Sequence, residues 1–153
     1  MQINPYLIFD GCCEAAFRAY ADILGGEIVG LMRYGDMPDT GGGNDHGEGC
    51  DDATAMAPAQ VVHVCMTVRG QTPMGSDSPP ALFQKAGSLS VAPNLDTAEE
   101  AARIFAALAE GGEVRMPFGE TFWADGFGMC VDRFGTPWMV GGGNRDVAQP
   151  PSP

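Results

Sequence analysis

Residues 118–143 read FGETFWADGFGMCVDRFGTPWMVGGG, and the rest of the chain is organised around them. Two runs with strand character, 127–131 and 136–141, flank the tetrapeptide Asp132-Arg133-Phe134-Gly135. An Asp at the first position of a turn bonds backbone amides just ahead of it, and a Gly at the last tolerates positive φ. The stretch is therefore expected to be a hairpin in which Asp132 has a structural capping role. Both Trp residues, Trp123 and Trp138, lie here, with four of the eight Phe residues, Phe118, Phe122, Phe127 and Phe134. Aromatic surface at this density must be buried or line a pocket.

Immediately upstream, 97–110 carries Ala101, Ile104, Phe105 and Leu108 at helical spacing, with Asp96 as the expected cap and Gly111-Gly112 as the stop. The N-terminal part has the same grammar. A strand over 2–9, restricted by Pro5, leads to Asp10 as a cap. A helix over 14–24 has the stripe Ala16, Phe17, Tyr20, Ile23 and Leu24 and stops at Gly25-Gly26. A strand over 27–34 follows. Asp10, Glu14-Ala15-Ala16 and Gly25-Gly26-Glu27-Ile28 recur as Asp96, Glu100-Ala101-Ala102 and Gly111-Gly112-Glu113-Val114, each 86 residues on. Later, Gln71-Thr72-Pro73-Met74 echoes as Gly135-Thr136-Pro137-Trp138. Each half thus reads strand, helix, three strands. A lone unit of this kind leaves a sheet face bare, so two copies should pack. The expected fold is α+β, two βαβββ modules forming one domain over 1–153, the first at 1–80 and the second at 86–145.

Residues 61–69, VVHVCMTVR, are the clearest strand. Alternation puts Val62, Val64, Met66 and Val68 on a greasy face covered by helices, and His63, Cys65 and Thr67 on a more polar face suited to a cavity. Further strands are expected at 72–77 and 87–95. Between strands, 35–60 holds six acidic residues, the run Gly41-Gly42-Gly43, and no Lys or Arg. It reads as a long acidic loop. Its acids do not fall in the alternating pattern of a calcium loop.

The chain has 153 residues and a formal net charge of −12 with pI near 4.2. Nucleic acid is excluded as a partner, because phosphate binding needs a basic face, and anionic membranes are disfavoured. No apolar run approaches the roughly 18 residues of a membrane helix. Without a basic N-terminal region the chain is expected to be cytoplasmic, with its five Cys as free thiols. Cys12 and Cys13 lie at a helix start, where a thiol pKa can fall. The reading preferred for them is small helix-compatible residues without chemistry.

The candidate site residues are few. His63 and Cys65, about 7 Å apart by strand rise, are too far apart for a direct hydrogen bond. Pocket lining is preferred for them over a thiolate–imidazole pair or zinc ligands. Glu120 or Asp125 beside Trp123 offers a carboxylate base. The preferred alternative has these acids facing water while Phe122 and Trp123 cover a pocket. Arg33 and Tyr34 are candidates for a carboxylate anchor, and Arg133 for a pair with an acidic neighbour or a partner subunit. The glycine pairs follow helices as stops, so no Gly-rich turn for a nucleotide-type cofactor is evident.

The chain resembles the vicinal oxygen chelate superfamily of glyoxalases, bleomycin-resistance proteins and extradiol dioxygenases. Within it, the chain is most similar to the PhnB-like branch, also labelled 3-demethylubiquinone methyltransferase-like. The matching residues are Tyr6-Leu7-Ile8-Phe9-Asp10-Gly11, Glu14-Ala15-Ala16 with Tyr20, and Val62-His63. The rest are Ile104 with the run ending in Glu110-Gly111-Gly112, and Asp132-Arg133-Phe134-Gly135-Thr136-Pro137-Trp138. The resemblance implies a cup-shaped sheet with a pocket inside and frequent homodimers. It also implies a divalent metal held by four side chains, whose register positions here are Asn4, Ser88 or Ser90, Gly75 or Ser76, and Met139. None is His, Glu or Asp, so the metal site is expected to be absent. The reading that follows is a small-molecule-binding protein holding an apolar or aromatic ligand near His63, Cys65, Phe122, Trp123 and Trp138. Two alternatives stay open: a divalent-metal-dependent lyase, isomerase or dioxygenase with ligands including His63 and Glu120, and an interaction protein whose acidic loop captures a partner.

Overall fold

A computed structural model describes residues 1–37 and 56–145 of the chain. The chain divides into two compact units, Met1–Gln84 and Lys85–Pro153. The first runs β1 (Tyr6–Phe9), α1 (Cys13–Leu24), β2 (Glu27–Arg33), a 3-10 turn (Tyr34–Asp36), β3 (Val61–Thr67) and β4 (Met74–Asp77). The second runs β5 (Asn94–Leu95), α2 (Ala98–Ala109), β6 (Glu113–Gly119), β7 (Ala124–Val131) and β8 (Pro137–Asn144). Strand order is β1-β4-β3-β2 in one sheet and β5-β8-β7-β6 in the other. In each sheet the first and last strands of the unit pair in parallel and the others are antiparallel. The expected α+β architecture of two βαβββ modules is what the chain adopts.

Several local expectations are corrected. The strand expected over 2–9 is confined to Tyr6–Phe9, because Pro5 has no N–H; its carbonyl still accepts from Met74 N at 3.0 Å. The strand expected over 87–95 shrinks to Asn94–Leu95 with an isolated bridge from Val91 to Trp138. Pro93 interrupts it, contributing only a carbonyl, to Gly141 N at 3.1 Å. Neither Asp10 nor Asp96 caps its helix. The α1 N-cap is Cys12, whose side chain does not cap the helix, and the α2 N-cap is Thr97, whose hydroxyl accepts from Glu100 N at 3.2 Å. Gly25 ends α1 in the left-handed region at φ 70°, as expected of a stop.

Both helices have 12 residues and bury one stripe. In α1 it is Cys13, Ala16, Phe17 and Tyr20; in α2 it is Ala101, Ile104, Phe105 and Leu108. Each stripe follows the spacing 0, 3, 4, 7 of one helical face. Matching stripe to stripe shifts the second by 88 residues, whereas the strands β1 and β5 and the glycine stops match at 86. Two residues are about 200° of helical rotation, so the Glu-Ala-Ala match does not align equivalent faces. Phe17 and Phe105 are the equivalent core aromatics, and each lies over a glycine. A Cβ on Gly75 would sit 2.6 Å from Phe17 Cε2, and one on Gly128 would sit 2.8 Å from Phe105 Cε2. Burial of Phe9, Phe17 and Tyr20, none more than 2% exposed, contributes about 1.5–3 kcal/mol per side chain.

The acidic loop expected at 35–60 falls largely on 38–55, outside the described residues. Its ends meet: Gly35 N donates to Pro58 O at 2.8 Å and Tyr34 N to Gln60 O at 3.0 Å. No helix among the described residues is long and apolar enough to cross a membrane.

Candidate functional site

The face of β3 carrying His63 is defined by its pairings. Val64 lies opposite Gly75, which faces Phe17 of α1. Val64 and Met66 are fully buried, so the greasy face lies under the helix as alternation requires. Residues directly opposite on paired strands share a face. Cys65 is opposite Met74 and Gly30, Met74 is opposite Tyr6, and His63 is opposite Met32. Tyr6, Ile8, Met32, His63 and Cys65 therefore share the face turned away from α1. Its large side chains are open to solvent, Tyr6 at 46%, Ile8 at 56% and Met32 at 49% exposure.

Tyr6 was not expected in the site. Its hydroxyl lies 3.3 Å from His63 Nδ1, and the two rings stack at 5.9 Å between centroids with planes 29° apart. Because β4 separates β1 from β3, the tyrosine ring crosses over β4 to reach the imidazole. Strand alternation in 2–9 offered the signal, since it puts Tyr6 and Ile8 on one face. The pairing partner was not visible without the sheet order.

In the second unit, Phe122 is 75% exposed and packs edge-on against Trp123 at 4.6 Å, and Trp123 packs against Phe127 at 5.6 Å. The turn that presents them is closed by Thr121, whose amide and hydroxyl both bond Ala124 O. Arg145 fastens it from the end of β8. Its amide donates to Trp123 O at 2.9 Å, Nε to Asp125 Oδ1 at 2.7 Å, and Nη2 to Glu120 Oε1. The hydrogen bonds that Arg145 donates, to Glu120 first and Asp125 second, raise its pKa above the ordinary value. Glu120 and Asp125 do face water, as preferred, and both are also held by this guanidinium. Phe127, Met129 and Met139 continue the apolar surface on the side of the sheet opposite Gly128 and Val140. Trp138, expected near the ligand, stands on the α2 side. It is 3% exposed and its Nε1 donates to Asp132 Oδ2 at 2.8 Å.

The remaining candidates serve the fold. Arg33 does grip a carboxylate, that of Glu14, through Nε at 3.0 Å and Nη2 at 2.8 Å. The Arg18 hydrogen bond first, with Arg33 beside it, holds Glu14 below the usual carboxylate range. The Arg133 guanidinium lies 4.9 Å above the ring of Phe134. Cys13 is buried, and burial first, then the Asp77 carboxylate, pushes its thiol up, against the lowering a helix start alone would give. A cleft of about 380 Å³ at the start of α1 is lined by Gly11, Cys12, Glu14, Arg18 and Asp77. Its charged groups already have partners, Glu14 in Arg18 and Arg33, Asp77 in backbone amides.

A divalent metal is the group the expected superfamily implies. Among the described residues no three of His, Cys, Asp and Glu gather to hold one. On the open face of the first sheet the ligating types are His63 and Cys65, two residues apart on one strand, and Glu120 in the other unit is engaged by Arg145. These residues do not fit a catalytic divalent site.

Residues 1–141 match the family model described as 3-demethylubiquinone-9 3-methyltransferase. Protein PA1353 from Pseudomonas aeruginosa is 40% identical, with a TM-score of 0.79 over 93% of this chain and 97% of that one. A Bacillus cereus structure described as a putative 3-demethylubiquinone-9 3-methyltransferase, PhnB protein, is 27% identical, with a TM-score of 0.72 over 93% and 99%. Protein YjdN of Escherichia coli K12 is 33% identical over 92% of this chain and 94% of its own. A glyoxylase/bleomycin resistance protein/dioxygenase domain from Frankia sp. EAN1pec, 12% identical over 96% and 93%, shares the fold with a TM-score of 0.61.

Proposed function

The chain belongs to the 3-demethylubiquinone-9 3-methyltransferase family, and from that premise we propose that it binds a small apolar or aromatic molecule on the open sheet faces, without a divalent metal. One observation carries this reading: the face of the first sheet turned away from α1 combines exposed Tyr6, Ile8 and Met32 with His63. A surface that is mostly apolar with one fixed polar group suits small-molecule recognition. Phe122, Trp123 and Phe127 give the second unit an aromatic surface of the same character. A homodimer in the cytoplasm belongs to the same proposal.

The family description speaks of methyl transfer. A nucleotide-type methyl donor docks its anionic or polar groups where a parallel strand runs through a Gly-rich turn into a helix. The corresponding turn here is Asp10-Gly11-Cys12, and the first free amide of α1, Cys13 N, is bonded at 3.0 Å by the carboxylate of Asp77. A carboxylate already occupies the anion position, so the residues do not fit such a donor, and no transfer step is derived.

Saturation-transfer NMR with a library of aromatic fragments tests the binding reading. Met32→Glu, which charges the exposed face without touching the core, should weaken the hits about tenfold or more. Hits unaffected by that substitution contradict it. Near-stoichiometric Zn, Ni, Mn or Fe in purified protein favours the metal-dependent enzyme, and sedimentation equilibrium tests the dimer.

A further inference from the structure

We propose that Tyr6 is a positioning residue that holds His63 as the Nε2–H tautomer, and that the pair donates a hydrogen bond to the carbonyl oxygen of a neutral apolar compound. A neutral imidazole has one donor nitrogen and one acceptor nitrogen. The Tyr6 hydroxyl, 3.3 Å from Nδ1, is a better donor than acceptor. When Nδ1 accepts from it, the ring proton must sit on Nε2. The stack of the two rings, 29° from parallel, restrains rotation of the imidazole and keeps that proton aimed in one direction.

Among the described residues no protein group bonds Nε2, so its N–H is available to a ligand. Around it the same face offers Ile8, Met32 and Cys65, which bring no formal charge to compete. A single donor in apolar surroundings selects an apolar molecule with one accepting oxygen, because leaving that oxygen unpaired would cost binding. The chain carries a net charge of −12, whose field disfavours a carboxylate or phosphate and favours a neutral carbonyl. The ligand half of the proposal rests on the open face being the binding surface. The tautomer half does not.

Two measurements separate these halves. Long-range ¹H–¹⁵N correlation spectra of ligand-free protein at about pH 8, where imidazole is neutral, report the tautomer, and His63→Gln assigns the signal against His46. The wild type should show Nε2–H, and Tyr6→Phe, which keeps the ring and removes the hydroxyl, should give a mixture of tautomers. An Nδ1–H ring in the wild type, or an unchanged tautomer in Tyr6→Phe, overturns Tyr6 as the positioning residue. Titration with acetophenone, ethylbenzene and benzoate then tests the ligand class. Acetophenone should shift the Nε2 resonance and bind more tightly than the other two, and Tyr6→Phe should reduce its affinity about fivefold, more than it reduces that of ethylbenzene. Equal binding of acetophenone and ethylbenzene, or preference for benzoate, overturns the carbonyl assignment. If no probe perturbs the face, the carbonyl assignment and the binding reading fall together, while the tautomer result stands on its own.

Discussion

Asp77 and Asp132 are buried carboxylates satisfied by neutral donors. Asp77, 6% exposed, accepts from Cys13 N at 3.0 Å and Val61 N at 2.8 Å, tying the start of α1 and the start of β3 to the end of β4. Asp132 accepts from the amides of Phe134 and Thr136 and from the Trp138 indole. Its role was legible because two of its partners lie within four residues, the range over which turn chemistry acts. That of Asp77 was not, because its partners are 16 and 64 residues away. Asp77→Ala strands two buried amides and should lower stability by about 2–4 kcal/mol, read by urea unfolding; a loss below about 0.5 kcal/mol would remove its bridging role. Cys130 gives a pH signature. Burial first and Asp132 second push its thiol up to about 11, from an ordinary 9.0. The unfolded chain releases that proton near its ordinary value while the folded chain retains it. The stabilisation is therefore complete below pH 9 and disappears as pH rises towards 11. Urea midpoints measured across that window should fall less steeply in Cys130→Ala than in the wild type, and identical slopes would contradict the assignment.

At the scale of elements, helix existence, inward faces and the glycine stop of α1 were readable, and N-caps were not. Ala101, Ile104, Phe105 and Leu108 announced the buried stripe of α2 because side-chain spacing on a helix is set by geometry alone. Caps depend on one residue's φ and ψ, and both Asp10 and Asp96 have side chains suited to the role. The chain turns later than they propose, at Gly11 with φ 77° and at Thr97 in the extended region. Thr97→Ala should destabilise by about 1 kcal/mol while Asp96→Ala stays within about 0.5 kcal/mol, both by urea unfolding. The reverse order would restore Asp96 as the cap. Pro5 and Pro93 explain why two strands came out shorter than their composition suggested. Each removes a donor from a parallel ladder at its edge strand.

For the whole molecule, the duplication carried the fold. The two sheets repeat one strand order, and the parallel ladders match in detail: Met74 N bonds Pro5 O as Met139 N bonds Val91 O. The layout of the candidate site was legible in part. His63 and Cys65 share the open face that alternation assigned to them, and Trp123 joins Phe122 and Phe127 in an aromatic cluster. Trp138 belongs with the core because aromatic content does not say which face of a strand a ring occupies, whereas its register against Cys130 does. Tyr6 came to light with the sheet order that lays β1 next to β4. The central claim, a ligand face that works without a metal, is tested most directly by chemical-shift mapping of a bound aromatic fragment in EDTA. Perturbations should gather on Tyr6, Ile8, Met32, His63 and Cys65 and stay unchanged when EDTA is replaced by Mn²⁺ or Zn²⁺. Perturbations elsewhere, or binding that appears on adding the metal, would contradict it.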